Sequence, residues 1–297
     1  MLNGVIDYLT EPFCVFLKSG INGGFKMYKI VAIDIDGTLL NSNEKVTERT
    51  KNAIKKAKKK GVTVVLATGR PIEGVLRFLE ELGMYTDNDY VLSYNGALVQ
   101  KTLNKSIIAK MTLKGSDLHY LKGLSDKFKV NIHCFHEEKG LITSKISKYT
   151  ELEAKINDIE VNEISFDEVI ENDVIIKVMM IDDPEILGPV MEKLPKEVFE
   201  KYTVVRSTPY FLEFLNKDSN KGAGLDLLAK HLGIKQEEII AIGDAGNDIH
   251  MIEYAGLGIA MGNAFDEVKK IANYITDTND NEGVAKAIEK FILDKNK

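Results

Sequence analysis

The sequence predicts an α/β fold: a Rossmann-like doubly wound parallel sheet that carries an inserted α+β domain. Three observations predict it. Short continuous apolar runs rich in β-branched residues recur at 30–33, 62–66 and 239–242, the pattern of strands buried on both faces. The first two are followed by segments with helical apolar spacing, further strands and helices alternate after the third, and strand alternating with helix is the pattern of a doubly wound sheet. Between Thr112 and Phe214 the character changes to shorter strands and polar amphipathic helices, far longer than an ordinary connecting loop. The sheet domain is therefore assigned to 27–111 and 215–297, the insertion to 112–214, and an N-terminal extension to 1–26.

The elements follow in order. Strand 30–33 delivers Asp34 and Asp36 into a Gly37-Thr38 turn. Alternation along an extended chain points both carboxylates to one side. So close together they repel, unless a cation or a proton is shared. Thr47 caps a helix to about Lys60 whose stripe is Val46, Ala53, Ile54 and Ala57, and Gly61 ends it. Its lysines 55, 56 and 58–60 read as a solvated helix end that complements the dipole. Strand 62–66 ends at Ala67-Thr68-Gly69-Arg70-Pro71, where the Thr68 hydroxyl is a workable donor to a phosphate oxygen, and a helix is expected over 71–82. Residues 90–99 are strand-like with a break at Tyr94-Asn95-Gly96.

In the insertion, strands are expected at 130–135, 141–143, 174–181, 203–207 and 211–215, and helices at 116–127, 149–157 and 184–194. Ser219-Asn220-Lys221-Gly222 then opens a helix through Leu232, so the Lys221 ammonium and the helix dipole add at one anion site. Strand 239–242 ends at Gly243-Asp244-Ala245-Gly246-Asn247-Asp248, a second acidic cluster. Strands at 257–260 and 274–276 and helices at 264–271 and 283–293 complete the chain.

Composition narrows the function classes. The 297 residues are 44% hydrophobic and 28% charged, enough for a sizeable core. A net charge of −6 argues against a nucleic-acid surface, and no apolar run reaches the ~18 residues of a membrane span. Cys14 and Cys134 lack CxxC spacing and are expected as free thiols in the cytoplasm. Residues 1–26 have no basic n-region and are broken by Asp7, Glu11 and Pro12, so no signal peptide is expected. Gly23-Gly24 can be encoded by a ribosome-binding sequence, and translation is expected to start at Met27.

Asp34, Asp36, Asp244 and Asp248 all fall just past parallel strands, the edge where open α/β sheets bind ligands. Four converging carboxylates call for a hard cation, and an oxygen-only set selects Mg²⁺ over zinc. The five histidines show no ligand spacing, and His133 and His136 are expected at exposed strand or loop positions. Such a site makes chemical sense for a phosphate monoester, whose very slow hydrolysis favours two successive displacements. One aspartate attacks phosphorus while the other protonates the leaving oxygen and then activates water.

Asp34-Ile35-Asp36-Gly37-Thr38 resembles the DxDGT signature of the haloacid dehalogenase (HAD) superfamily. Further motifs extend the resemblance from Met27 to the end of the chain: Thr68-Gly69-Arg70-Pro71, Ser93-Tyr94-Asn95-Gly96-Ala97-Leu98-Val99, Lys177-Val178-Met179-Met180, Pro209-Tyr210-Phe211-Leu212-Glu213 and Ala241-Ile242-Gly243-Asp244. Together they resemble the Cof-type branch with a class IIB cap, and within it the YidA-type sugar phosphatases. The resemblance implies Asp34 as nucleophile and Asp36 as general acid and base. It implies Mg²⁺ on the Asp34 carboxylate, the Asp36 backbone carbonyl and Asp244, with Asp248 in support. Phosphate would be held by Thr68, Gly69, Lys221, Asn247 and the Ile35 amide. The cap would read the leaving group, with Tyr94, Asn95, Lys177, Arg206, Tyr210 and Glu213 facing the cleft.

The implied function is a Mg²⁺-dependent phosphatase of small phosphorylated metabolites, sugar phosphates first, acting through an aspartyl-phosphate as a monomer or homodimer. A phosphomutase shares the same site. A regulatory phospho-acceptor has no use for Asp36 as a proton shuttle or for a cap of about a hundred residues. A silent binding protein need not retain every charged site residue.

Overall fold

The three continuous apolar runs pair with one another at the centre of one sheet. The computed structural model describes residues 27–294; the expectations for residues 1–26, including the Cys14 thiol and the Met27 start, lie outside the described residues. Strand β1 (Ile30–Asp34) leads through helix α1 (Glu48–Lys59) to β2 (Thr63–Ala67), then through α2 (Leu76–Glu81) to β3 (Tyr90–Ser93), with β4 (Leu98–Lys101) and β5 (Ile107–Lys110) following. The chain then builds a second sheet from β6 (Leu113–Lys114), α3 (Gly115–Phe128), β7 (Asn131–His136), β8 (Gly140–Thr143), α4 (Lys148–Asn157), β9 (Val161–Glu163), β10 (Val174–Ile181), α5 (Pro184–Lys193), α6 (Lys196–Lys201), β11 (Tyr202–Thr208) and β12 (Phe211–Asn216). It returns through α7 (Lys221–Leu232), β13 (Ile239–Gly243), α8 (Ile249–Tyr254), β14 (Leu257–Ala260), α9 (Asp266–Ile271), β15 (Tyr274–Ile275) and α10 (Gly283–Ile288).

The first sheet runs β15-β14-β13-β1-β2-β3-β4-β5, parallel as far as β3 and antiparallel beyond. Ile30 to Ile33 are fully buried in β1, as a strand covered on both faces requires. Thr47 caps α1 by accepting from the Thr50 amide, and Ala53, Ile54 and Ala57 are buried beneath it. Lys58 closes onto Gly83 O and Asp89, and Lys60 onto the carbonyls of Ile292 and Leu293, so these lysines tie the end of α1 to its neighbours.

The second sheet runs β11-β12-β10-β7-β8-β9, with β6 also on β10. Its two faces differ. On one, Leu118, Leu121, Leu187 and Val190 from α3 and α5 pack on Ile132, Cys134, Val178, Met180 and Phe214. On the other, Phe135, Met179, Ile181 and Phe211 pack with Tyr94, Ala97 and Leu98 of the first sheet and with Ala154 of α4. The β3–β4 turn is thus the floor on which the second sheet sits. Asn157 of α4 packs against Gly74, and Asn216 Nδ2 donates to Thr112 O at 2.8 Å, bridging the two strands of chain that join the sheets.

Several elements differ from expectation. The segment 90–99 is two antiparallel strands, because the turn at Tyr94–Gly96 reverses the chain. The helix expected over 71–82 becomes regular only at Leu76, after a tight turn at Glu73–Val75. The short elements β5, β6, β9, α6 and α8 lie outside the sequence-based expectations. His133 and His136 are not exposed: they are 0% and 4% accessible, because β7 is an inner strand of the second sheet.

Candidate active site

Every first-sheet motif lies just past a parallel strand, so one edge collects them. The strand geometry of β1 ends at Asp34, and the chain coils into a tight turn, Ile35–Leu39, in which Ile35 faces the core. Gly37 has φ +82°, and a Cβ there would stand 2.5 Å from Asp244 Oδ2. Only glycine permits both the turn and that approach. Thr38 uses it, donating from Oγ1 to Asp244 Oδ1 at 2.7 Å.

Lys221 is the first residue of α7, which Asn220 caps by accepting from the Ala223 amide. Its fully buried ammonium donates to Asp34 Oδ1 at 2.5 Å and to Asp248 Oδ1 at 2.7 Å. The other oxygen of Asp248 accepts from the amides of Asp244 and Ala245, at 2.9 and 3.0 Å. Asp248 is therefore fully committed, and it orients the loop and Lys221. One carboxylate oxygen each from Asp34, Asp244 and Asp248 lie within 4.8 Å of one another. Burial pushes the carboxyl groups of Asp34 and Asp244 upward, and Asp248 adds to both. For Lys221 burial acts downward, but Asp248 and Asp34 outweigh it and hold its pKa high. Three carboxylates around one ammonium leave negative charge uncompensated, and the oxygen-only donor set fits a hard divalent cation such as Mg²⁺.

Asp36 stands apart, which corrects the expectation of four converging carboxylates. Alternation stops where the strand stops, so its side chain is 58% exposed and forms a two-pronged pair with Arg70, Nη2 to Oδ1 at 2.6 Å and Nε to Oδ2 at 3.1 Å. The guanidinium fixes the orientation of this carboxylate at a solvent-facing rim. Arg70 had no assigned part in the sequence reading, although it follows Thr68-Gly69 directly.

Thr68 is buried beside this edge, and its Oγ1 accepts from the Arg70 amide at 3.1 Å, leaving the hydroxyl proton for a ligand. Asn247 Nδ2 donates to Asn95 Oδ1 at 3.1 Å, and the Asn95 amide group lies against Gly69. Tyr94, Asn95 and Gly96 have φ of +50°, +55° and +84°, a left-handed turn that costs the two non-glycine residues about 1–2 kcal/mol each. A Cβ at Gly96 would stand 2.3 Å from Asn220 O, so this turn and the start of α7 touch backbone to backbone.

Across the turn, the second sheet offers a polar group of its own. Lys177 is 2% exposed, with Nζ 3.1 Å from Glu213 Oε2 and 3.9 Å from Glu153 Oε1. A register shift between Ile175 and Lys177 adds one residue to β10, so both Ile176 and Lys177 face the first sheet. The ammonium lies 5.1 Å from the Phe135 ring centroid and 5.8 Å from that of Tyr94. Ser207 donates to Glu213 Oε1 at 2.5 Å, and His133 Nδ1 is buried without a hydrogen-bond partner among the described residues. Tyr210 stacks on Tyr149 with centroids 5.1 Å apart.

Arg206 is not in this group, contrary to expectation. It pairs with Leu212, whose side chain lies on the helix-covered face, and its guanidinium donates to Pro209 O beside Gly188 of α5. Glu153 escaped the sequence reading, since only tertiary packing of α4 brings it to Lys177.

The sequence profile of the haloacid dehalogenase-like hydrolases matches residues 31–288. This chain belongs to that family. YxeH of Bacillus subtilis (strain 168) is 46% identical over 271 residues, covering 91% of this chain and all of that protein. The 5-amino-6-(5-phospho-D-ribitylamino)uracil phosphatase YcsE of the same organism is 33% identical over 267 residues, 89% of this chain and 96% of that protein. Among solved structures, a HAD subclass IIB sugar phosphatase superposes with a TM-score of 0.71 at 28% identity, covering 89% of this chain and 98% of that one. This HAD-like hydrolase is a phosphatase, an enzyme that acts on phosphate esters. No helix among its described residues is long and apolar enough to cross a membrane.

Proposed function

We propose that this HAD-like hydrolase is a Mg²⁺-dependent phosphatase of small polyhydroxylated monophosphates, sugar phosphates foremost, and that it works through an aspartyl-phosphate on Asp34. The observation that carries the reading is the buried Asp34 carboxylate held by Lys221 at the carboxyl edge of β1, with the Thr68 hydroxyl and Asn247 amide beside it. Asp34 attacks phosphorus. Lys221, Thr68, Asn247 and the Ile35 amide hold the phosphoryl oxygens as charge shifts onto them. Asp36, exposed and oriented by Arg70, protonates the departing oxygen and then takes the proton of the water that cleaves the aspartyl-phosphate. Mg²⁺ would be held by Asp34, Asp244 and the Asp36 backbone carbonyl, with Asp248 behind them, and it supplies charge neutralisation when bound.

Residues 112–214 act as a cap over a core of 27–111 and 215–297. Lys177, Glu213, Glu153 and Ser207 mix donors and acceptors, as hydroxyl recognition requires, and they lie across Tyr94 from the catalytic edge. The ribityl substrate in the name of one relative and the sugar phosphatase among the solved structures support that class.

The test is phosphate release from a panel of sugar phosphates with Mg²⁺ and with chelator, for the parent and Asp34→Asn. Metal-dependent turnover is expected to fall at least ~10³-fold in the variant. Rapid quench with ³²P-labelled substrate is expected to leave a hydroxylamine-sensitive label on the parent and none on Asp34→Asn. Full turnover in chelator, or in Asp34→Asn, rejects the mechanism.

A further inference from the structure

The grip proposed for Asn247 depends on how its amide is aimed. It sits in a three-residue turn, Gly246–Asp248, too short to fix a side chain by itself. What fixes it is Asn95, distant in sequence, whose Oδ1 takes one of the two Nδ2 protons at 3.1 Å. That bond turns the nitrogen of Asn247, and not its oxygen, toward Asn95 and Gly69, and leaves the second N–H for an anion.

We propose that Asn95 is a positioning residue for the phosphate site, acting through Asn247 and not on the leaving group. Asn95 is only 7% exposed, and its amide is packed against Gly69, so it faces the phosphate loops and not open solvent. Its backbone is held in the left-handed conformation from several sides. The Asn95 amide donates to Thr68 O at 2.8 Å and the Tyr94 amide to Arg70 O at 3.1 Å. Gly96 abuts Asn220 and Lys221, and the Tyr94 ring meets Phe135 edge-on with centroids 5.2 Å apart. The turn therefore touches the elements that carry Thr68, Arg70 and Lys221, and through the Asn95 amide it reaches Asn247. A turn with φ of +55° at this position would form more readily with glycine. The amide is the part that backbone geometry does not need, and among the described residues its side-chain hydrogen bond goes to Asn247.

This inference rests on Asn247 as a phosphate ligand, and the experiment separates the two. Asn95→Gly keeps the left-handed turn and removes only the amide. The full chain and the variants Asn95→Gly, Asn247→Ala and the double are compared with an aryl phosphate as substrate and inorganic phosphate as competitive inhibitor. Asn95→Gly is expected to lower kcat/KM and to raise the Ki for phosphate, each about tenfold, the scale of one lost hydrogen bond to a charged group. The double variant is expected to be no worse than Asn247→Ala. Ki does not depend on the amount of folded enzyme, so partial unfolding cannot imitate the shift. Losses that multiply in the double variant, or an unchanged Ki in Asn95→Gly beside an impaired Asn247→Ala, overturn the positioning role. An unchanged Asn247→Ala rejects Asn247 as a phosphate ligand and the positioning role with it.

Discussion

Lys221, at the start of α7 beside the first sheet, and Lys177, in the second sheet, are both buried, and each lies between two carboxylates. The partners of Lys221 are at 2.5 and 2.7 Å, and those of Lys177 at 3.1 and 3.9 Å. Lys221 begins a capped helix, and its acceptors stand just past parallel strands locked by backbone ladders. Lys177 sits at a bulge, and its partners come from a helix and from a neighbouring strand of the second sheet. Burial presses the Glu153 carboxyl upward, with Lys177 opposing it, and Glu213 Oε2 meets Lys177 as an ion pair at 3.1 Å, with no aligned hydrogen bond among the described residues. Charges clamped in one geometry suit a fixed reaction centre, where preorganisation lowers the barrier. Charges held loosely among aromatic rings suit a surface that adapts to different leaving groups.

The largest effect should come from Lys221→Met, which leaves the buried acids uncompensated. It is expected to lower kcat/KM on any ester by about 10³-fold and stability by about 3–5 kcal/mol, read by kinetics and urea unfolding. Lys177→Met sharpens the contrast: a loss of about 10–100-fold on a hexose phosphate, but within about 3-fold on a simple aryl phosphate. Equal losses on both esters would break the comparison.

Taken per pH unit, a pH effect comes next. Burial, aided by Lys177, lowers the His133 pKa to about 3 from an ordinary 6.5. Between these values the unfolded chain binds a proton that the folded one does not, so stability falls as pH drops from 6.5 toward 3, by up to about 1.4 kcal/mol per unit. His133→Phe should flatten the pH dependence of unfolding by one proton in that window, and an unchanged slope would show that the ring is protonated in place. The smallest effect is expected at the rim, where Arg70→Gln should change the unfolding free energy by less than about 1 kcal/mol, because the Asp36 partner is exposed.

Asp34, Thr68 and Asp244 were legible as strand-end residues because short continuous apolar runs stop at or just before them, and a buried parallel strand has little freedom of register. Asp36 was misread because alternation was carried past the last residue of the strand. Arg206 was misread for a related reason: on a two-sided sheet one residue of register decides the face, and β11 carries a register shift of its own next to it. The sequence places His133 and His136 at exposed positions, because polar residues in a short strand say nothing about whether that strand lies inside a sheet.

By itself the sequence determined the alternation of strands and helices, the strand ends where chemistry collects, and the family. Those follow from local patterns: apolar period, caps, turn residues and motif spacing. Only the tertiary structure decided that Lys221 bridges Asp34 and Asp248, that Asp36 turns to Arg70, that Glu153 joins Lys177 and that Asn95 holds Asn247. Each of those contacts joins residues far apart in the chain. Their partners are chosen by how the sheets, helices and turns pack, which no local pattern encodes.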